Sequence, residues 1–252
     1  MNKADSAYTH LAQYYDRLMD VDYHQWAVYL RRLWEYFSVK PKQILELACG
    51  TGGLTLPLAN MGYQITAVDI SREMIAVAEA KAAKENTAVT FIVGSMLDID
   101  LEREFDLTIC CCDAVNYLTT EQELVQFIQT AYQHTKPGGL LLFDLNSELK
   151  LREIYGNQYY AELFEEFGYF WDNYFDDQTE ICTMDLTFFI KDDSGLYRRV
   201  REIHREKLWR PQVIFDYLSA QGWKLEGYFQ FLTFEEPEGD AERWQFAARK
   251  PK

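Results

Sequence analysis

The apolar positions of this chain change period several times, and each change marks an element. Between residues 22 and 38, Trp26, Tyr29, Leu30, Leu33, Trp34 and Phe37 recur every three or four residues. That spacing predicts an amphipathic helix, which Pro41 closes off. QILELAC (43–49) is a nearly continuous apolar run and reads as a buried strand. LTLPLANMG predicts a helix ending near Gly62, one that starts late or kinks because Pro57 has no amide proton. YQITAVDI (63–70) predicts a second strand, and Ser71 can cap a helix to about Asn86 with Met74, Val77 and Ala78 on one face. VTFIVG (89–94), FDLTICCC (105–112) and LLLFDLN (140–146) predict the third, fourth and fifth strands. Thr120 and Glu123 have the spacing of a capping box for a helix through about His134, which KPGG stops. Strands alternating with helices at this interval predict an α/β fold with a doubly wound, mostly parallel sheet.

After residue 147 the period becomes two. In ICTMDLTFFIKD, Cys182, Met184, Leu186, Phe188 and Ile190 share one face. Asp193, Ser194 and Gly195 predict a turn into LYRRVREIHREKLW. Residues 148–210 thus read as a small antiparallel sheet inserted into the α/β unit. A helix returns at Pro211 and stops at Gly222, and two closing strands follow in WKLEGYFQFLTF and ERWQFAARK. The expected organisation is a helical cap over 1–40, a ligand-binding domain over 41–147 and 211–252, and the inserted sheet over 148–210.

Composition narrows the function. The chain has 252 residues, 48% of them hydrophobic, and a net charge of −15. A real core is expected, and so much negative charge argues against a nucleic-acid partner. The polar start MNKADSAYTHLAQYYD has no stretch of signal-peptide length, and no later run approaches the ~20 apolar residues of a membrane span. A cytoplasmic protein without a membrane partner is therefore expected. The five cysteines include Cys110, Cys111 and Cys112 in a row and no CxxC pair, so reduced core thiols are expected and no metal site.

The chemistry concentrates at LELACGTGG, residues 45–53, where an apolar run breaks into glycines. A strand, a glycine turn and a helix place a ligand at the carboxyl end of a parallel strand. Asp69 closes the second strand, where a carboxylate can accept hydrogen bonds from both ribose hydroxyls. In the NAD fingerprint a third glycine or an alanine stands where this chain has Thr55, and no Gly-Lys-Ser/Thr follows to make a P-loop.

ELACGTG at Glu46–Gly52, with VDIS at Val68–Ser71, resembles the class I S-adenosylmethionine-dependent methyltransferases. The resemblance covers most of the chain, and the closing strand pair is similar to that family's reversed hairpin. It implies a Rossmann-like seven-stranded sheet and S-adenosylmethionine as cofactor, with S-adenosylhomocysteine as product. YYDRLM (14–19) and the inserted sheet resemble the small-molecule branch, which includes aminosugar N-methyltransferases, near bacterial members of uncharacterised substrate. The resemblance also assigns roles. The backbone of Ala48, Gly50 and Gly52 would face the methionine part, with Glu46 ordering that loop or approaching the amino group. Asp69 would hold the ribose, Ile70 would touch the adenine, and Ser95 and Met96 would read its ring. Ser95 stands where the family usually has Asp. Cys112 and Asp113 would sit beside the sulfonium, and Tyr15 would close the site unless it only packs a helix.

Methyl transfer from a sulfonium needs alignment more than activation. For the acceptor side the candidates are Asp113, Asn116 and Tyr117 past the fourth strand, Asp144 and Asn146 at the fifth, and His204 in the insertion. Of these, Asp113, Tyr117 and His204 are expected to be catalytic. The ten aromatic residues between Tyr155 and Phe175 form either a hydrophobic sheet with a homodimer contact or a lid over an organic, amine-bearing acceptor. N- or O-methylation of a small molecule is the expected function. The alternatives are RNA or protein methylation, for which residues 197–210 are a basic strip diluted by glutamates, a cofactor-binding module without turnover, and a nicotinamide dehydrogenase.

Overall fold

Strand β1 (Gln43–Leu47) is flanked on one side by β2 (Gln64–Asp69) and on the other by β4 (Phe105–Cys110), both parallel to it. Strand β3 (Thr90–Val93) extends the sheet beyond β2, and β5 (Thr135–Asn146) extends it beyond β4. The closing pair, β10 (Lys224–Gln230) and β11 (Arg243–Arg249), completes a seven-stranded sheet of order β10-β11-β5-β4-β1-β2-β3, with β11 antiparallel to both neighbours. The strand order reverses between β1 and β4, and a ligand crevice forms outside the carboxyl ends at such a point. The computed structural model describes residues 11–19, 21–192 and 194–252.

Both faces of the sheet are buried, which is why its central strands are apolar without alternation. Ile44 joins one core with Trp26, Leu30 and Leu33, while its neighbour Leu45 joins the other with Phe127, Phe143 and Phe246. The first core is supplied by α2 (Tyr23–Tyr36), whose start is capped by the Asp22 carboxylate accepting from the Gln25 amide at 2.8 Å. A short helix, α1 (Tyr15–Leu18), precedes it. Helix α3 (Thr55–Asn60) does start late: Pro57 falls in its first turn, where no amide has a partner within the helix. Ser71 caps α4 (Arg72–Glu85), and Thr120 with Glu123 forms the full capping box of α5 (Glu121–His134). Pro211 opens α6 (Pro211–Ala220).

Strand lengths depart from the apolar runs at two places. Strand β4 stops at Cys110 because Cys112 and Asp113 take left-handed backbone conformations (φ 63° and 53°), which end the extended run. Strand β5 begins at Thr135, so KPGG lies inside it. Those residues are absorbed as a register shift against β4, and a side chain at Gly139 would come within 2.8 Å of the Asp106 carbonyl oxygen.

Between β5 and α6 lies a separate antiparallel sheet, β6 (Tyr159–Leu163), β7 (Phe167–Asp176), β8 (Ile181–Lys191) and β9 (Tyr197–Lys207). A π-helical stretch over Leu149–Tyr155 leads into it and was not expected. Too few turns form there for the apolar positions to show a helical period. Cys182, Met184, Leu186 and Phe188 are buried on the inner face of β8 and pack with Leu151 and Phe167. Tyr14 of the N-terminal segment packs on the same core, its ring 4.5 Å from that of Phe167. Asp193, and residues 1–10 of the expected helical cap, lie outside the described residues. Among the described residues, no helix is long and apolar enough to cross a membrane.

Candidate functional site

The loop after β1 turns through three positive φ angles, at Ala48 (56°), Gly50 (55°) and Gly52 (77°). Its carboxylate partner is Asp69. Oδ2 accepts from the Gly50 amide at 2.8 Å and Oδ1 from the Ser71 amide at 2.8 Å, which ties the ends of β1 and β2 together. Burial pushes the Asp69 carboxyl upward, against those two amides. Glu46 is buried below the loop, where Oε2 accepts from the Thr55 hydroxyl at 2.6 Å. Burial pushes its carboxyl up to about 7. Gly53 has a different use: a Cβ there would stand 2.7 Å from the ring of Tyr23.

A cavity of about 340 Å³ opens at these carboxyl ends. Tyr15, Glu46, Ala48, Gly50, Asp69, Ile70, Met96 and Cys112 all line it. Gly52 and Ser95 do not. Gly52 turns toward α4, where a Cβ would be 3.3 Å from that of Ala78, and Ser95 Oγ is turned to the Leu97 amide, accepting at 3.1 Å. Tyr23, Thr51, Ser71 and Met74 also line the cavity, and none of them was expected there from the sequence. Tyr23 OH lies 3.9 Å from the Cys112 thiol, and burial raises the pKa of both groups.

A second, smaller cavity of about 70 Å³ lies between this rim and the antiparallel sheet, and Tyr15 and Tyr117 line both. Asp113, Tyr117 and His204, distant in sequence, meet in its wall. The left-handed pair Cys112–Asp113 turns the chain so that the Asp113 amide donates to Asp144 Oδ2 at 2.9 Å. Arg243 from β11 then holds both carboxylates, Asp113 Oδ1 at 2.7 Å from Nη2 and Asp144 from Nη1. Tyr117 OH is 3.2 Å from His204 Nδ1, and His204 Nε2 is 3.4 Å from the Glu202 carboxylate. Asn116 and Asn146 fasten this region instead of lining it: Asn116 Nδ2 donates to the Lys207 carbonyl, and Asn146 Nδ2 to Glu206 Oε2 at 2.7 Å. Tyr155, Tyr169 and Trp171 supply the aromatic wall.

Glu206 and Arg243 are the participants that sequence reading missed. The signal for Glu206 was present in RVREIHREK. Strand alternation sends Glu202, His204 and Glu206 inward, buried, and Arg199, Arg201 and Arg205 outward, exposed. The glutamates therefore do not dilute a basic strip; they occupy the other face. Arg243 carried no comparable local signal, because its partners come from β4 and β5. Among the described residues, no group of three or more His, Cys, Asp or Glu side chains is arranged to hold a metal ion.

The model of the family described as "Methyltransferase domain" matches residues 44–139, the segment that supplies the lining of the first cavity apart from Tyr15 and Tyr23. A protein of Geobacillus sp. (strain WCH70) named a putative methyltransferase is 33% identical over 96% of this chain and 99% of its own length. The chain belongs to the S-adenosylmethionine-dependent methyltransferases. A solved S-adenosylmethionine-dependent methyltransferase from Clostridium acetobutylicum ATCC 824 superimposes with a TM-score of 0.85 at 28% identity, covering 96% of this chain and 97% of that one. The fold is also that of the sugar N-methyltransferase KedS8 from Streptoalloteichus sp ATCC 53650, with a TM-score of 0.78 at 20% identity over 95% and 92% of the two chains.

Proposed function

We propose that this methyltransferase acts on a small organic molecule, and that the acceptor atom is an amine nitrogen held in the second cavity. The observation that carries this reading is the shared wall: Tyr15 and Tyr117 line both cavities, so a group in one can meet a group in the other. The first cavity fits the cofactor. Among the described residues, each Asp69 oxygen accepts one backbone amide, which leaves lone pairs for ribose hydroxyls. Ile70 and Met96 offer apolar contact for an adenine ring, and the loop from Ala48 to Gly50, with Glu46 beneath it, suits the amino-acid end. Gly52 and Ser95 act at one remove, by shaping the loops on either side. Bound there, S-adenosylmethionine supplies an already activated methyl group.

The chain's own residues then have to orient the acceptor and exclude water. Tyr155, Tyr169 and Trp171 present aromatic faces, which attract cationic groups, beside the Asp113 carboxylate. That combination favours an amine over a neutral alcohol. Tyr117 and His204 form a hydroxyl–imidazole pair along which a proton can pass between Oη and Nδ1. The name of KedS8, a sugar N-methyltransferase, agrees with a small amine-bearing acceptor. RNA methylation gains no support from β9, whose outward arginines lie on the sheet face opposite Glu202, His204 and Glu206.

Incubation with methyl-labelled S-adenosylmethionine and cell extract, separated into metabolites, RNA and protein, tests the reading. Label in the metabolite fraction is the expected result. Label confined to RNA or protein overturns it. Tight S-adenosylhomocysteine binding with no label in any fraction favours a cofactor-binding module instead.

A further inference from the structure

Glu206 is 2% exposed in the wall of the second cavity, near the end of β9. A buried carboxyl must either be neutral or find compensating charge. Its Oε2 accepts from Asn146 Nδ2 at 2.7 Å, and the Asp113 carboxylate stands in the same cavity wall, close enough to act on it. Two carboxyls that close in a buried site do not both ionise, and one proton stays with the pair. The cation beside them settles where. Arg243 binds Asp113 Oδ1 at 2.7 Å and holds Asp144 with its other nitrogen, so the positive charge lies on the Asp113 side. Burial and the Asp113 charge both push the Glu206 carboxyl upward, more than Asn146 and Arg243 pull it down. The other groups around it are His204 and Glu202 on the same face of β9, Cys182 as its register partner on β8, and Tyr155. The Cys182 thiol is itself pushed up to about 12 and so brings no charge at neutral pH.

We propose that Glu206 is a positioning residue that works as the un-ionised acid: its proton bridges to Asp113, fixes that carboxylate in the cavity wall, and leaves the pair with one negative charge in place of two. The inference rests on the amine reading above and gives it a physical requirement. An amine attacks a sulfonium methyl only as the neutral base. Each additional negative charge beside it favours the ammonium form. With Glu206 neutral, the Asp113, Asp144 and Arg243 group carries a single net negative charge, enough to draw an amine in and less able to hold it protonated.

Glutamine reproduces the shape and neutrality of the un-ionised acid, which makes the test direct. The expected result is that Glu206→Ala lowers methyl transfer into the metabolite fraction by about tenfold or more, the loss of one buried hydrogen bond to a charged group. S-adenosylhomocysteine affinity, read by calorimetry, should stay within about twofold, since Glu206 does not line the first cavity. Glu206→Gln should recover part of that loss, and the ratio of wild-type to Glu206→Gln activity should fall as pH rises and the acid ionises. A Gln variant as impaired as Ala, with cofactor affinity intact, overturns the proposal by showing that the ionised form is needed. A second measurement needs no acceptor: carboxyl-carbon NMR of glutamate-labelled protein bound to S-adenosylhomocysteine. The resonance missing from Glu206→Gln should keep its protonated position through neutral pH, and should titrate lower in Asp113→Asn. An ionised Glu206 at neutral pH overturns the proposal. If the wild type labels no metabolite, the small-molecule reading falls, while this titration still decides whether the pair shares a proton.

Discussion

Asp69 Oδ2 accepts a hydrogen bond from the backbone amide of Gly50 at 2.8 Å, so the carboxylate proposed to hold a ribose is also the clasp of the loop beneath it. On that proposal one residue carries two functions, and the substitutions at it can separate them. Asp69→Ala removes both and should weaken S-adenosylhomocysteine binding by about 1–3 kcal/mol. Asp69→Asn keeps one acceptor oxygen and should fall between the wild type and Ala. Calorimetry on folded variants measures this; unchanged affinity in Asp69→Ala counts against any role at the ribose.

Glu46 gives a pH dependence of definite sign. Its carboxyl is raised from 4.5 to about 7 in the folded chain. The folded state therefore holds this proton more tightly than the unfolded one. Its contribution to stability is complete below about pH 4.5 and is lost as pH rises through about 7. The whole effect is about 3 kcal/mol, at 1.36 kcal/mol per pH unit. Asp69, Asp144 and Glu206 are shifted in the same direction, so only a comparison isolates Glu46. Urea unfolding of wild type and Glu46→Gln at pH 5 and pH 8 should show a smaller loss of stability in the variant. Equal losses would remove Glu46 as a cause.

Asp16 ties helix α1 to the loop after β1 and to α4. Asp16 Oδ1 accepts from the Thr51 hydroxyl at 2.5 Å and Oδ2 from Lys81 Nζ at 2.7 Å. The Lys81–Asp16 ion pair is part-exposed, so it contributes only about 1 kcal/mol. Its effect should show in kinetics: Asp16→Ala should speed S-adenosylhomocysteine release several-fold and increase amide exchange over residues 15–18. Stopped-flow displacement checks the first and hydrogen exchange the second.

Gly53→Ala should displace the Tyr23 ring, which lies 2.7 Å from where the new Cβ would sit. Overpacking of this kind costs about 1–3 kcal/mol. Because Tyr23 also lines the first cavity, cofactor affinity should fall along with thermal stability. Tyr23→Ala in the Gly53→Ala background removes the clash and should restore part of the stability; no recovery would place the cost elsewhere.

The parts of the fold that were legible in the sequence are those whose determinants are local. The Thr120–Glu123 capping box lies within four residues, and the Pro57 effect within one helical turn. The inner face of β8 follows from its own alternation. What was not legible depends on distant parts of the chain. Strand β4 was read two residues too long because Cys112 and Asp113 adopt left-handed backbone without a glycine to announce it. Tyr23 reads as one more aromatic of an amphipathic helix, and only the packing of α2 against Gly53 brings it to the cavity. Eight of the ten residues expected at the cofactor line the first cavity, and five of them, Glu46, Ala48, Gly50, Asp69 and Ile70, sit on one loop and two adjacent strand ends. The second cavity is walled by α1, the end of β4 and the antiparallel sheet, an assembly that no single stretch could reveal.

The alternation along β9 has a consequence for how this site can vary. Glu202, His204 and Glu206 face inward only because β9 meets β8 in one register, Met184 opposite His204 and Cys182 opposite Glu206. Sliding β9 by a single residue would exchange parity, putting Arg201, Ile203 and Arg205 into the cavity and the acids into water. The charge of the second cavity's wall is thus written in whether a hairpin counts odd or even. A length change in the β8–β9 connection could turn an acid-lined wall into an arginine-lined one without a single substitution in β9.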